Sequence, residues 1–253
     1  MEQVLSPILL EGEFSKDRID QLNDRFETSD PGTILRWVDN TFGTDAALGT
    51  GFGSSGVFLI DQIQKYQLNI PIFYLDTQLL FDTTYELRDT IEQKYGISIY
   101  RVSAGMSFRE QAIRYGEELW KTNPNHCCYL RKVRPLRNYL SDKKAWITGI
   151  RRSQSKERKQ ARIIEWNEEH EVIKVNPVAD WTGEKIWDHI HHLDLPYNPM
   201  HDEGYPSIGC IPCTQPTGDA KESDSRTGRW NGKGKTECGI HLPIQDFETN
   251  KEH

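Results

Sequence analysis

No run in this 253-residue chain is apolar for long enough to cross a bilayer, so the sequence predicts no membrane span. The stretch from Met1 to Leu10 has no positively charged opening. Its short apolar run meets Glu11 and Glu13 at once, and no secretory leader is expected. Excess positive charge is also missing. The net charge is −7, which argues against general nucleic-acid binding and means that an anionic ligand needs a local basic cluster. There is no internal repeat and no long low-complexity tract. Only 36% of residues are hydrophobic, but seven Trp and ten Tyr help to build a core, and the length fits one large domain or one domain with a tail. Cysteines are few and odd in number. Five of them without a leader point to a reducing cytoplasm and to working thiols rather than a disulfide framework.

The cysteines divide into groups. Cys127 and Cys128 are adjacent, Cys210 and Cys213 form a Cys-x-x-Cys pair, and Cys238 stands alone in Lys235-Thr236-Glu237-Cys238-Gly239-Ile240-His241. Two close pairs of thiolates suit a metal site, either structural zinc or an iron–sulfur cluster. Adjacent cysteines turn to one tetrahedral ion with difficulty, whereas a cubane offers each a separate iron, so the spacing favours a [4Fe–4S] cluster. Cys238, with Lys235 and His241 close by, suits thiolate chemistry, though a leftover surface cysteine reads the same way.

The pattern along the chain alternates strands and helices. Residues 1–43 read as a helical lead, with helical spacing after Pro31-Gly32. Strands are predicted at 46–50, 70–75, 97–102, 145–148 and 171–175. Helices are predicted from Val57 to Tyr66, from Phe81 to Tyr95 with a stop at Gly96, from a Ser107/Glu110 capping box to about Trp120, and from Thr182 to Leu193. This order predicts a parallel α/β sheet with ligands outside the carboxyl ends of its strands. Segments 50–56, 76–78 and 149–158 follow such ends. The first holds Gly51, Phe52, Gly53, Ser54 and Ser55 in a turn that fits phosphate or sulfate, or simply joins strand to helix. It is neither a Walker A loop nor a dinucleotide fingerprint. The second holds Asp76, a ligand group or a helix cap. The third holds Arg151, Arg152 and Arg158, an anion site or a solvated surface loop. From Thr217 to Lys235 the composition turns to Gly, Ser, Lys, Arg and Asp, which predicts a mobile segment leading to Cys238.

Taken together these pieces resemble the assimilatory sulfonucleotide reductases, which act on adenylyl sulfate or phosphoadenylyl sulfate. The resemblance covers roughly residues 40–245. It rests on Cys127-Cys128-x-x-Arg131-Lys132, on Asn198-Pro199-Met200-His201-Asp202-x-Gly204-Tyr205-Pro206-Ser207-Ile208-Gly209-Cys210-x-Pro212-Cys213-Thr214, on Gly228-Arg229-Trp230 and on Glu237-Cys238-Gly239-Ile240-His241. It implies an adenine-nucleotide α-hydrolase-like (Rossmann-like) fold at 44–215 and a mobile catalytic tail at 216–253. It implies that Cys127, Cys128, Cys210 and Cys213 hold one [4Fe–4S] cluster, as in the branch that uses adenylyl sulfate. Catalysis falls to Cys238, His241 and Lys132, the lysine lying between cluster and substrate. Nucleotide contacts fall to the Gly/Ser loop, to Leu75, Asp76 and Thr77, to one of Arg151, Arg152 and Arg158, and to the tail pair Arg226 and Arg229.

The implied reaction is attack of the Cys238 thiolate on the sulfate sulfur, departure of AMP, and release of sulfite by thioredoxin, in cytoplasmic sulfate assimilation for cysteine biosynthesis. No nucleic acid or membrane partner is implied, and a homo-oligomer is compatible. Two positions depart from the family: Gly53-Ser54-Ser55-Gly56-Val57 lacks the acidic pair usual in the cluster-containing branch, and Gln78 replaces a glycine. The first departure keeps a phosphoadenylyl-sulfate or dual-specificity enzyme as the alternative. An ATP pyrophosphatase such as a tRNA-thiolating ligase would need a Ser-Gly-Gly-x-Asp-Ser loop, which is absent.

Overall fold

The structure is a computed structural model that describes residues 14–217, 226, 228–230, 235 and 237–241. Its centre is a six-stranded sheet: β1 (Ala46–Thr50), β2 (Ile72–Asp76), β3 (Tyr100–Ser103), β4 (Ala145–Ile147), β5 (Ile164–Asn167) and β6 (Val172–Val175). The spatial order is β3-β2-β1-β4-β6-β5. Every pairing is parallel except β5 with β6. Side chains alternate across the strands. Ala46, Leu48, Ile72, Tyr74, Ala145, Ile147, Ile173 and Val175 enter one core, while Ala47, Phe73, Trp146 and Val172 enter a second on the other face. The sheet is thus covered on both sides, as a parallel sheet requires.

The larger core also takes in α1 (Lys16–Phe26), α2 (Pro31–Phe42), α3 (Ser54–Lys65), α4 (Asp82–Tyr95) and α9 (Gly183–His192), through Leu22, Phe26, Leu35, Ile60, Ile91 and Ile190. The predicted helical lead therefore packs into the main core from Phe14 onward, and residues 1–13 lie outside the described part. Local signals explain the helix ends. Asp30 accepts a hydrogen bond from the Thr33 N–H at 3.0 Å and Pro31 opens α2. Gly96 closes α4 at φ 64, and Ser107 and Glu110 form the predicted capping box of α5 (Phe108–Tyr115).

Several features differ from the sequence reading, among them α3, which starts at Ser54 rather than Val57, and β2, which starts at Ile72 rather than Ile70. The third strand starts at Tyr100, later than the apolar run suggests. α5 stops at Tyr115 rather than near Trp120, because Gly116 (φ 87) and Glu118 (φ 52) leave helical geometry. The chain then re-enters helix as α6 (Leu119–Thr122), α7 (Pro124–Cys128), a π-helical turn (Tyr129–Val133) and α8 (Arg134–Leu140). A further difference is β5, an antiparallel edge strand absent from the reading. Its four residues include a glutamate and an asparagine, so no apolar pattern marks it.

Asn23 clamps this edge strand to α1. Its side chain donates to the Ile164 carbonyl at 2.8 Å and to the Ile19 carbonyl at 2.7 Å, and accepts from the Ile164 N–H at 3.1 Å. Asn23→Ala removes all three bonds at a buried site and strands two backbone groups of Ile164. The expected loss is about 2–4 kcal/mol of unfolding free energy, read by urea titration. A loss under roughly 0.5 kcal/mol would mean that water replaces the clamp.

Candidate active site

Strand order reverses beside β1: β2 and β3 lie on one side of it and β4 on the other. Such a point leaves a crevice above the strand ends. Here it is a cleft of about 240 Å³. Its lining includes Gly51 to Gly56 after β1, Leu75 and Thr77 around the end of β2, and Gly149, Ile150, Gln154 and Arg158 after β4. All three segments singled out by position therefore converge.

The turn after β1 is built for close approach. Phe52 sits at φ 57, and its N–H donates to Thr50 Oγ1 at 2.9 Å. Gly53 opens α3 with no side-chain cap, so the first N–H groups of the helix face the cleft without a side-chain competitor. Gly56 has no room for a side chain, since a Cβ would lie 2.5 Å from Thr50 Oγ1. Arg151 is fully buried and donates to Ser55 Oγ, bracing the turn from behind rather than lining the cleft. Burial, with help from Arg158, pulls its guanidinium down to about 10.

The arginine cluster divides. Arg158 reaches the cleft. Arg152 is turned away, pairing with Glu27 at the C-terminal cap of α1 and donating from Nε to the Ala161 carbonyl at 2.8 Å, so it takes no place among the cleft residues. Asp76 also stays out of the lining. It accepts from the Gln78 N–H and the Tyr85 hydroxyl, both at 2.7 Å, and from Arg101 Nε at 2.6 Å. A carboxylate so fully engaged shapes the loop instead of meeting a ligand. Gln78, where the family has glycine, holds φ 59, the backbone region that a glycine enters freely.

The cysteines gather on the far side of Thr77. Asn123 caps α7 by accepting from the His126 N–H at 3.0 Å, and Pro124 opens the helix, which sets Cys127 and Cys128 at the start of a helical stretch that widens into the π turn. Cys210 and Cys213 flank a single 3₁₀ turn. All four line one small, apolar cavity with Trp120 and Trp230, and all five cysteines are buried and outside any disulfide. Thr77 and Lys132 border both this cavity and the cleft. Thr77 Oγ1 lies 3.3 Å from Cys210 Sγ, and its carbonyl accepts from buried Arg131 at 3.2 Å. Burial, joined by neighbouring sulfurs, pushes the Cys127 thiol up to about 12. Among the described residues no three or more His, Cys, Asp or Glu side chains lie close enough together for one metal ion.

Much of the segment predicted as mobile, 217–235, lies outside the described residues, but Arg226 and Arg229 from it line the cleft. Arg229 donates to Ser207 Oγ and to the Ile208 carbonyl, both at 3.3 Å. It passes so near Gly209 that a Cβ there would lie 2.2 Å from its Nη2. Cys238 lines the cleft and packs against Cys128, Cys210 and Cys213. Burial pushes its thiol up, but Lys132 first and Arg226 second pull it down, and the net direction is below the ordinary value. Lys132 is drawn down by burial and up by the sulfurs of Cys210, Cys238 and Cys128, and ends well above its usual value, hence protonated. His241 lines the cleft with its ring stacked on Trp146, centroids 5.1 Å apart and planes 9° apart. Burial and the cations Arg158, Lys174 and Arg226 hold it well below its ordinary value, so it is neutral near pH 7.

Sequence reasoning missed several lining residues. Trp146 read only as core of a strand, Gln154 as part of a basic loop, and Pro206 to Gly209 as the approach to Cys210. The signal for the last group was present, since glycine just before a cysteine pair marks a close approach.

An open, mainly parallel α/β sheet carries a Gly/Ser turn, a cationic cleft and a buried thiol, an arrangement suited to a nucleotide and to thiol chemistry. Residues 46–216 match the family described as phosphoadenosine phosphosulfate reductase domain, and the chain belongs to that family. It is 48% identical over 233 residues to adenosine 5'-phosphosulfate reductase of Salinibacter ruber, covering 92% of each chain. It is 43% identical to adenosine 5'-phosphosulfate reductase 2 of Bacillus subtilis, over 90% of this chain and 93% of the relative. Among solved structures it is similar to phosphoadenylyl-sulfate reductase of Candida auris in a phosphate complex, with a TM-score of 0.71, 29% identity, and coverage of 79% of this chain and 98% of that one. FMN adenylyltransferase of Candida glabrata shares the fold alone, with a TM-score of 0.55 and 14% identity over 98% of this chain and 81% of that one. Among the described residues no helix is long and apolar enough to cross a membrane.

Proposed function

We propose that this protein reduces adenylyl sulfate to sulfite and AMP in sulfate assimilation, with Cys238 as nucleophile and thioredoxin as the dithiol reductant. The observation that carries the reading is a buried thiol, lowered by Lys132 and Arg226, in the same cleft as the turn after β1. The names of the relatives agree with it.

The thiolate of Cys238 attacks the sulfate sulfur. An S–S bond forms, the S–O bond to the nucleotide breaks, and its electron pair leaves on the phosphate of AMP. Lys132, Arg158, Arg226 and Arg229 offset the negative charge of the sulfate and of the departing phosphate, and the N–H groups of the turn add donors. Neutral His241 holds its ring on Trp146 as one wall and offers no proton near pH 7. One thiolate of the dithiol then attacks Cys238 Sγ, sulfite leaves with the bonding pair, and the second thiol frees Cys238 while the dithiol becomes a disulfide. The two electrons come from the dithiol.

The residues present fit a [4Fe–4S] cluster. The four thiols surround one apolar cavity without converging on a single-ion site, and a cluster spaces its thiolates by giving each a different iron. A tetrahedral zinc would hold all four sulfurs at about 2.3 Å from one point. Cys127, Cys128, Cys210 and Cys213 would hold the cluster. When bound it supplies a polarisable charge beside Lys132 and Thr77.

Acceptance of the 3'-phospho nucleotide is a second reading. It is favoured because no carboxylate lines the cleft among the described residues. One experiment covers both. Anaerobically purified protein is analysed for iron and acid-labile sulfide, offered each nucleotide in a single turnover, and weighed intact. A gain of one SO₃ on Cys238, released as sulfite by thioredoxin, is expected from adenylyl sulfate. The faster nucleotide identifies the substrate. Zinc in place of iron rejects the cluster, and no adduct from either nucleotide rejects the reductase.

A further inference from the structure

The residue before the nucleophile carries a charge that this chemistry leaves unused. Glu237 is buried, and its carboxylate accepts from Arg158 Nε at 2.7 Å and from Arg158 Nη2 at 3.0 Å. Arg226 Nη2 lies 3.3 Å from the same carboxylate. Both arginines line the cleft, where they would face a nucleotide's anionic groups, yet here they grip an internal anion. A buried carboxylate gripped by two cleft arginines calls for a function of its own.

The geometry points to one. Arg158 belongs to the body, in the loop after β4, while Glu237 belongs to the catalytic tail. Among the described residues other contacts also tie the same stretch down, including Lys235 Nζ donating to Asn125 Oδ1 at 2.7 Å, Lys174 Nζ donating to the His241 carbonyl at 3.4 Å, and His241 stacking on Trp146. None of these is a two-point contact between buried charges. The planar fork of a guanidinium accepts a carboxylate in one orientation, so this contact fixes direction as well as distance. Cys238 is the next residue and inherits the constraint.

We propose that Glu237 is the latch of the catalytic tail, a positioning residue whose carboxylate, held by Arg158, seats Cys238 in the cleft. Cys238 is only 5% exposed, as a seated tail requires. The inference takes from the proposed function only that Cys238 is the reacting thiol.

The test is the rate at which iodoacetamide labels Cys238 in the nucleotide-free full chain, followed by peptide mass mapping across a pH series. The high-pH plateau reads access to the sulfur, and the midpoint reads its acidity. Glu237→Ala and the isosteric Glu237→Gln are expected to raise the plateau about tenfold by releasing the tail, while Glu237→Asp, which keeps the carboxylate, stays within about threefold of the parent. In an Arg158→Ala background the Glu237→Ala change is expected to add nothing, since the latch acts through that arginine. A plateau unchanged in both Glu237→Ala and Glu237→Gln overturns the latch, even if the midpoint moves, because Glu237 then acts only by its charge. So does an effect of Glu237→Ala undiminished without Arg158. Plateaus that behave as expected in protein that forms no S-sulfo adduct would keep the latch and reject the reductase.

Discussion

Cys238→Ser is expected to form no S-sulfo adduct and to release no sulfite, while the metal content of the protein stays at the parent level. A hydroxyl ionises far above the range in which Lys132 and Arg226 can help it, so it presents no anion to the sulfate sulfur. It also cannot form the S–S bond from which a dithiol later displaces sulfite. The expected fall in turnover is on the order of 10⁴-fold or more, the scale seen when a nucleophile is removed from a working site. The change is nearly isosteric, and the four cysteines around the second cavity are untouched, so folding and metal content provide the internal control. Intact mass after a single turnover with adenylyl sulfate gives the readout. Turnover above roughly one-hundredth of the parent rate would assign the nucleophile to another thiol.

Lys132→Met is expected to move the acidic limb of the pH–rate profile to higher pH. Lys132 is the largest of the charges that oppose burial at Cys238, and both residues border the cleft. Methionine fills much the same space without the charge, so the Cys238 thiol rises and its thiolate fraction at neutral pH falls. The sign is definite: a thiol that rises loses rate below its new value and regains it above, so the variant is most impaired in acid and recovers as pH increases. Each unit of displacement is a factor of about ten in thiolate below the midpoint, and at least a tenfold loss of kcat/KM near pH 7 is expected. Lys132→Arg, which keeps the charge, retains part of the rate. A profile lowered uniformly with its limb unmoved would mean that Lys132 only binds the nucleotide.

Much of this was legible in the chain because the signals are local. β1 needed only its own small, apolar residues, and α4 and α5 needed only Gly96 and the Ser107/Glu110 pair, which act over three or four positions. The cysteines were legible as two pairs and a single because ligand spacing is a property of sequence. The helices that carry Cys127 and Cys128 were less visible, although Asn123-Pro124 is a cap followed by a first-turn proline. β5 was not visible at all. Its strand state comes from register with β6, Ile164 opposite Val175 and Asn167 opposite Val172, and from the Asn23 clamp, both made by residues distant in the chain.

The site divides in the same way. By itself the sequence determined the α/β class, the three loops at strand ends, the family motifs and the inventory of thiols and arginines, since each depends on residue type at short spacing. Only the tertiary structure decided which arginine faces the cleft. Arg152 and Arg158 are alike as residues, but one meets Glu27 and the other meets Glu237. Only the tertiary structure brought Trp146 under His241, made Thr77 and Lys132 the shared wall of cleft and cysteine cavity, and closed Glu237 on Arg158. The physical reason is that charge and burial act through space. A lysine lowers a thiol 106 positions away when the fold sets them side by side, and no pattern along the chain encodes that distance.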